Sequence, residues 1–351
     1  MRASVLAKRD GRTVIEVQTL PDPVPGPGEI LLEVRAAALN HLDLYALGHH
    51  REAVEAPQQI IGSDAAGVVH SVGPDVNEAA LGGEVVLNPG LSCSVCESCR
   101  KGQESQCAEF DLVGRGVPGT FAEYVVVPAR NLSPKPTHLD FEQAAALTLD
   151  HLTAWRMVRT RGRLRAGETV LIHGIGGGAA LASLQIAKMT GAVVIVSSSS
   201  DEKLERARSI GADKIINYRR QKQVAQEARQ LTNGRGADLV IDTVGAATLS
   251  ESVSATTNGG RVVVCGATTG ADIEINVREI FWRQISIIGS TMGSHLDFRH
   301  MLDAVTENGL VPVVDSVWHL SDLEPALGRL EGAEQFGKIV LSASGGSGRW
   351  P

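Results

Sequence analysis

The chain has 351 residues, 43% of them hydrophobic, and a formal net charge of −7; that length suits two domains better than one, and that composition can bury a substantial core. Its basic residues are scattered, so the cationic stripe that nucleic acid or anionic lipid demands is absent and neither is an expected partner. Met1 to Asp10 carry Arg2, Lys8 and Arg9 without the apolar run of a signal peptide, and no segment supplies the roughly 20 apolar residues of a membrane span, which favours the cytoplasm.

In chain order the first motif is Cys93, Cys96, Cys99 and Cys107, which gathers four of the five cysteines at C-x2-C-x2-C-x7-C spacing. Cytoplasmic thiols stay reduced, so a disulfide framework is not expected, whereas thiolates so spaced converge on one tetrahedral ion. Four sulfur ligands fill the shell of zinc and leave no position for water or substrate. The expectation is one structural zinc per chain. Cys265, inside the run Arg261-Val262-Val263-Val264-Cys265-Gly266, reads as a small buried hydrophobe.

From Glu168 onward short β-rich runs alternate with helical stretches. Strands are expected at Thr169 to His173, Ala192 to Val196, Lys214 to Tyr218, Ala237 to Val244, Arg261 to Gly266 and Ile285 to Ser290. Helices are expected at Ala179 to Met189, Asp201 to Ile210 and near Gln221 to Leu231. Such alternation implies an α/β fold with a doubly wound parallel sheet. Between the first strand and first helix lie Gly174, Gly176, Gly177 and Gly178, followed by Ala179. Counted from Gly174, the dinucleotide fingerprint G-x-G-x-x-G is met at Gly176 and closes on Ala179, a small residue it tolerates. Without Cβ atoms, backbone N–H groups there can approach a pyrophosphate at the positive end of the helix.

NAD-binding chains place an acidic residue at the tip of the second strand to hold the ribose 2′-hydroxyl. Here the tip reads Ser197-Ser198-Ser199-Ser200. Lys203 lies about one helical turn beyond and attracts a 2′-phosphate, while Asp201 either opposes that charge or caps the following helix. NADPH is expected over NADH. Ser198 at this tip, and Gly245 and Gly266 at the ends of the fourth and fifth strands, complete the candidate cofactor contacts.

Over nearly its whole length the chain resembles the medium-chain dehydrogenase/reductase superfamily, in particular its quinone-oxidoreductase-like members. The resemblance rests on Pro25-Gly26-Pro27-Gly28-Glu29-Ile30-Leu31-Leu32-Glu33-Val34, Gly119-Thr120-Phe121-Ala122-Glu123-Tyr124, Leu152-Thr153-Ala154-Trp155 and Gly259-Gly260-Arg261-Val262-Val263, found in order. It implies a mostly β, GroES-like catalytic domain at residues 1–150 carrying the zinc loop, a Rossmann nucleotide domain at 151–290, and a return to the catalytic domain at 291–351, with the active site in a cleft. It also implies that Lys203 and Tyr218 contact the 2′-phosphate, that His41 approaches the pyrophosphate, that Thr153 lies near the nicotinamide, and that the protein is a homodimer or homotetramer.

Zinc alcohol dehydrogenases of the superfamily hold a catalytic metal with an early cysteine, a G-H-E element and a later ligand. This sequence has Asn40 at the first place, Gly62-Ser63-Asp64 at the second and Leu149 at the third. With only Asp43 and Asp64 as surviving oxygen donors, loss of the catalytic metal is expected; a rearranged set drawing on His41, Asp150 and His151 is the competing reading. Without a Lewis acid an isolated ketone is a hard target, whereas a quinone or α,β-unsaturated carbonyl spreads the arriving charge by conjugation. The catalytic candidates are Tyr45 as proton donor, Asn40 as amide donor, and Asp43 and Asp64 orienting them. The alternatives are a zinc alcohol dehydrogenase with unusual ligands, or an NADPH-binding protein with little turnover. His49 and His50 read as an exposed loop pair, His173 packs beside the glycine loop, and the tail around Ser344 to Gly348 reads as disordered.

Overall fold

A computed structural model describes residues 1–10, 12–47, 59–220 and 223–342. The chain divides into two compact units, Met1–Leu149 with Gly293–Pro351, and Asp150–Met292. The first unit opens with strands β1 (Arg2–Arg9), β2 (Arg12–Thr19) and β3 (Glu29–Ala38), then helix α1 (His41–Ala46). Strands β4 (Gln59–Ile60), β5 (Asp64–Val72), β6 (Glu84–Leu87) and β7 (Gly90–Leu91), the short helix α2 (Glu97–Arg100), and strands β8 (Asp111–Leu112), β9 (Tyr124–Pro128) and β10 (Leu132–Pro134) follow, before helix α3 (Phe141–Trp155).

The second unit contains β11 (Thr169–Ile172), α4 (Gly178–Met189), β12 (Val193–Ser198), α5 (Asp201–Ser209), β13 (Lys214–Asn217), α6 (Val224–Leu231), β14 (Ala237–Asp242), α7 (Leu249–Ala255), β15 (Thr256–Val264), α8 (Val277–Arg283) and β16 (Ser286–Gly289). The chain then returns to the first unit as α9 (His295–Asn308), β17 (Val314–His319), α10 (Leu323–Glu331) and β18 (Lys338–Ser342).

Strand β3 organises the first unit. Its nearly continuous apolar run suits a strand flanked on both sides: it pairs antiparallel with β5, β9 and β18 within a sheet of order β10-β6-β5-β3-β18-β17. Ala38, its last residue, lies opposite Asp64 of β5 and Val340 of β18, and Leu39 N donates to Ile339 O at 2.9 Å. Three strand ends and the start of α1 therefore meet at one place. Leu32, Leu39, Leu44, Phe121 and Leu341 bury their side chains in the adjoining core. Helix α9 opens with a capping box, Ser294 Oγ accepting from Asp297 N and Asp297 Oδ2 from Ser294 N, each at 3.0 Å, and ends on Gly309 in the left-handed region.

In the second unit six parallel strands run in the order β13-β12-β11-β14-β15-β16, the doubly wound arrangement expected from the strand–helix alternation. Leu171, Ile195, Val240 and Val262 pack their sheet face against Ala228 of α6 and Val253 of α7. Helices α7 and α8 were not expected from the sequence, because their polar and aromatic residues carry little helical periodicity. Gln221 and Lys222, His49 and His50, and the tail at 344–348 lie outside the described residues. Among the described residues, no helix is long and apolar enough to cross a membrane.

Candidate functional site

The cysteine loop leaves β7, turns at Ser94 with a φ of 63°, and places Cys99 on α2. All four sulfurs lie within 4.8 Å of one another, with Cys93–Cys99 at 3.9 Å and Cys96–Cys99 and Cys93–Cys107 at 3.5 Å. Zinc–sulfur bonds of about 2.3 Å around a tetrahedron separate the sulfurs by about 3.8 Å, so the four thiols fit a structural zinc. The base of the loop is held by Asn131, whose Nδ2 donates to Asn88 O and Gly90 O at 2.7 Å each, and by Arg130 Nη2 to Ser92 O at 3.1 Å. Cys265 is apart from this group and half-buried rather than buried as expected, and desolvation of its thiol pushes it up to about 11.

In the second unit the chain leaves β11 through Gly174 and Gly176, with φ of 68° and 124°, values that favour glycine. Gly177 caps α4, whose first helical residues are Gly178 and Ala179, and Ile175 N is tied to Ser197 O at 3.0 Å. The N–H groups of a helix's first turn lack intrahelical acceptors, and those of Gly178 and Ala179 are the donors a pyrophosphate needs. Gly245 and Gly266 occupy crowded strand ends: a Cβ at Gly245 would lie 2.8 Å from Gly270 O, and one at Gly266 would lie 3.0 Å from Thr243 O. His173 is fully buried beside the loop, with Nδ1 3.0 Å from Ser197 Oγ and no hydrogen bond at Nε2, and burial holds its pKa below the usual range.

At the tip of β12, Ser198 Oγ accepts from Ser200 N at 3.3 Å, and Ser200 Oγ caps α5 by accepting from Lys203 N at 3.3 Å. The Asp201 carboxylate is taken up by Asn217 Nδ2 at 2.6 Å and by Arg220. Tyr218 is exposed and adjacent, its N bonded to Ser198 O at 3.1 Å. Tyr218 thus follows a serine-lined strand tip, Lys203 lies in the first turn of α5, and the Asp201 carboxylate between them is paired with Arg220.

Back in the first unit, Asn40, Asp43 and Asp64 converge where β3, β5, β18 and α1 meet, and all three are buried. They are joined by Lys338, the first residue of β18 and only 3% exposed. Its Nζ donates to Asn40 Oδ1 at 2.7 Å and to Asp64 Oδ2 at 2.9 Å. Asp64 Oδ2 also accepts from Asn40 Nδ2 at 2.9 Å, and Oδ1 accepts from Leu149 N at 2.6 Å and from Thr148 Oγ1. Asp43 Oδ2 accepts from Asn40 N at 2.7 Å, across the first turn of α1. Burial pushes the Asp43 carboxyl up to about 7, opposed by the Asn40 amide and the Lys338 charge and assisted by the Asp64 charge.

A catalytic zinc needs about three protein ligands and an open position. Here the Asn40 oxygen faces an ammonium, each Asp64 oxygen accepts two hydrogen bonds, and Ser63 Oγ donates to Val113 O at 2.7 Å. These residues do not fit the ion. The same bonds revise the donor role expected of Asn40, whose amide is committed to Asp64, while Asp43 and Asp64 both accept from Asn40. Tyr45 is half-buried on the last turn of α1, and His41 is exposed on its first. Of the residues named for a rearranged ligand set, His151 places Nε2 3.1 Å from Gln185 Oε1. Among the described residues, the four cysteines are the group whose ligand atoms come within metal-binding reach. Thr153 is buried, its Oγ1 3.7 Å from Met292 Sδ.

Family models match both units: an alcohol dehydrogenase GroES-like domain at residues 26–137 and a zinc-binding dehydrogenase at residues 178–307. The chain is 34% identical over 322 residues to a zinc-type alcohol dehydrogenase-like protein of Schizosaccharomyces pombe, covering 90% of this chain and 91% of that one. The chain belongs to the zinc-type medium-chain dehydrogenase/reductase superfamily. Another relative in the superfamily is the acryloyl-coenzyme A reductase of Metallosphaera sedula, 30% identical over 330 residues and covering 93% and 96% of the two chains. A crystal structure of an NAD-dependent alcohol dehydrogenase superposes with a TM-score of 0.92 at 43% identity, covering 97% of this chain and 99% of that one. The protein is therefore an NAD(P)-dependent oxidoreductase of the medium-chain dehydrogenase/reductase type.

Three residues of this medium-chain dehydrogenase/reductase site escaped the sequence reading. Lys338 lies about 300 residues from Asn40, and a lysine opening a strand carries no local sign of burial. Arg220 had a signal, since a basic pair directly follows Tyr218. Asp242, fully buried at the end of β14, accepts from Val244 N, Gly245 N, Thr248 Oγ1 and Ser252 Oγ at 2.7–3.0 Å and so fixes the loop that carries Gly245.

Proposed function

We propose that the protein is an NADPH-dependent reductase that passes hydride to a quinone or an α,β-unsaturated carbonyl compound without a catalytic metal. The observation that carries this reading is the consumption of Asn40, Ser63 and Asp64, at the places where zinc alcohol dehydrogenases bind their ion, by hydrogen bonds within the unit. NADPH, when bound, supplies the hydride. The N–H groups of Gly178 and Ala179 hold the pyrophosphate, and Lys203 and Tyr218 hold the 2′-phosphate, with Arg220 keeping the Asp201 carboxylate from opposing it. His41, Thr153 and Ser198 complete the cofactor contacts. A conjugated acceptor carries the arriving electron pair to its own carbonyl oxygen, so the chain needs to orient it and exclude water. Tyr45 holds a proton at its phenolic oxygen for delivery to the enolate, and Asn40, Asp43 and Asp64 fix the start of the helix that bears it.

The reading places the enzyme in the cytoplasm, which suits its five free cysteines, with a small-molecule substrate and a homodimer or homotetramer as the working form. The outer edge of β16, without a strand partner among the described residues, and the exposed Phe281 and Trp282 of α8 support self-association. The competing reading, an NAD-dependent alcohol dehydrogenase with an unusual catalytic zinc, is favoured by the 43% identity to a structure of that description. A cofactor-oxidation screen on metal-quantified protein separates them. One zinc per chain with NADPH oxidised by quinones or enones is expected; two zincs, with turnover of simple alcohols and NAD that depends on the second, would overturn the proposal.

A further inference from the structure

Strand register sets two polar side chains edge to edge inside the second unit. Ile172 of β11 lies beside Val196 of β12, so the residues that follow, His173 and Ser197, are neighbours as well. Leu171 and Ile195 turn toward α6 and α7, and two positions further along each strand His173 and Ser197 turn the same way. Both are buried, and the imidazole Nδ1 lies 3.0 Å from Ser197 Oγ. The same serine also holds the residue after Gly174, since Ile175 N donates to Ser197 O at 3.0 Å. Gly174, with its φ of 68°, is therefore bracketed by two bonds to one residue of the adjoining strand. On its other flank stands Val244, whose Cγ2 would lie 3.2 Å from a Cβ at Gly174.

We propose that His173 is a positioning residue for cofactor binding: its bond to Ser197 fixes where the glycine loop leaves β11, and with it the aim of the Gly178 and Ala179 N–H groups at the pyrophosphate. The inference deepens the cofactor reading above. It rests on NAD(P) dependence alone and is indifferent to the hydride acceptor. Burial holds the imidazole pKa below its usual range, against the charges of Asp242 and Glu251, so near neutral pH the bond joins uncharged groups. Such a bond contributes modestly, and its loss should cost about 3- to 10-fold in affinity.

The test measures binding without turnover. Adenosine diphosphate ribose carries the pyrophosphate and adenosine 2′-monophosphate lacks it; calorimetry reads both on wild type, His173→Phe, Ser197→Ala, the double variant and His173→Asn. Phenylalanine keeps a ring and loses the bond, whereas asparagine places a polar atom where Nδ1 stands. His173→Phe and Ser197→Ala should each weaken adenosine diphosphate ribose by about 3- to 10-fold, the double variant by no more than either, and His173→Asn should stay within about twofold of wild type. Adenosine 2′-monophosphate should bind all of them alike. Unchanged affinity for adenosine diphosphate ribose, equal loss of both ligands, or single effects that multiply in the double variant would overturn the proposal. If His173→Phe does not fold, Ser197→Ala, which removes one oxygen, decides by the same comparison; failure of both to fold counts against a positioning role. Should wild type hold adenosine 2′-monophosphate no better than adenosine, the NADPH reading fails separately and adenosine becomes the control.

Discussion

Asp43 ties the buried cluster to solution pH. Its carboxyl is pushed from an ordinary 3.8 to about 7, burial being the largest cause. A carboxyl whose folded pKa is raised binds its proton more tightly in the folded state. The associated stability is full below the unfolded value near 4 and is lost as pH rises through about 7. At about 1.4 kcal/mol per unit, the shift corresponds to roughly 4 kcal/mol across that window. Asp43→Asn removes the titration and keeps an oxygen to accept from Asn40 N. The variant should therefore gain on wild type by about 1.4 kcal/mol per pH unit between roughly pH 4.5 and 6.5, with the gain levelling off above about 7.5. Hydrogen–deuterium exchange of the β3 and β18 amides, corrected for intrinsic rates, reads this in the first unit alone. Parallel curves for wild type and Asp43→Asn across pH 5 to 8 would refute a proton held on Asp43 near neutrality.

Lys203→Ala should remove the proposed charge-assisted bond to the 2′-phosphate worth about 1.5–3 kcal/mol, and Arg220→Ala should free the Asp201 carboxylate to oppose that group, each raising the KM for NADPH by about 10- to 100-fold and leaving that for NADH nearly unchanged. Equal effects on both cofactors in steady-state assays would sink the 2′-phosphate assignment. Cys96→Ser should lose the structural zinc by elemental analysis, expose the segment around residues 92–110 to limited proteolysis, and lower the thermal midpoint while turnover at low temperature persists; an unchanged ion count would remove Cys96 from the ligand set. Paired Phe281→Glu and Trp282→Glu changes, placing charge on side chains 62% and 74% exposed, should shift sedimentation toward the monomer. An unchanged assembly would send the interface elsewhere.

The strands and the glycine loop of the second unit were legible because their signals are local, whereas α7 and α8 carry little helical periodicity and were missed. A strand from Thr169, glycines at 174 and 176 and a helix of small and apolar residues after Gly177 follow one another within about two dozen residues, and each has a period or a backbone requirement that survives without tertiary context. The cysteine loop was legible for the same reason, four ligands within 15 residues. The first unit resisted where its chemistry depends on long-range pairing. Asn40 and Asp64 could be recognised as departures from a metal site, but their partner Lys338 arrives from β18 through a register that no local pattern encodes. The donor role expected of Asn40 failed for that reason: its amide is already committed to Asp64, a fact fixed by the sheet and invisible in the residue type.

The charge balance of this cluster bears on which acceptors the enzyme can serve. A Lewis acid stabilises a developing alkoxide with charge held over from its ligands. The Lys338 ammonium has no such surplus, because Asp64 neutralises it at 2.9 Å and Asn40 takes a second of its protons. Whatever stabilises the reduced product must then come from neutral donors such as Tyr45 or from the acceptor itself. An isolated carbonyl would place a full charge on one oxygen, with at most about 1.5–3 kcal/mol returned by each hydrogen bond. A conjugated acceptor spreads that charge before protonation and asks less of the protein. The preference for quinones and enones proposed above is the one this charge balance supports.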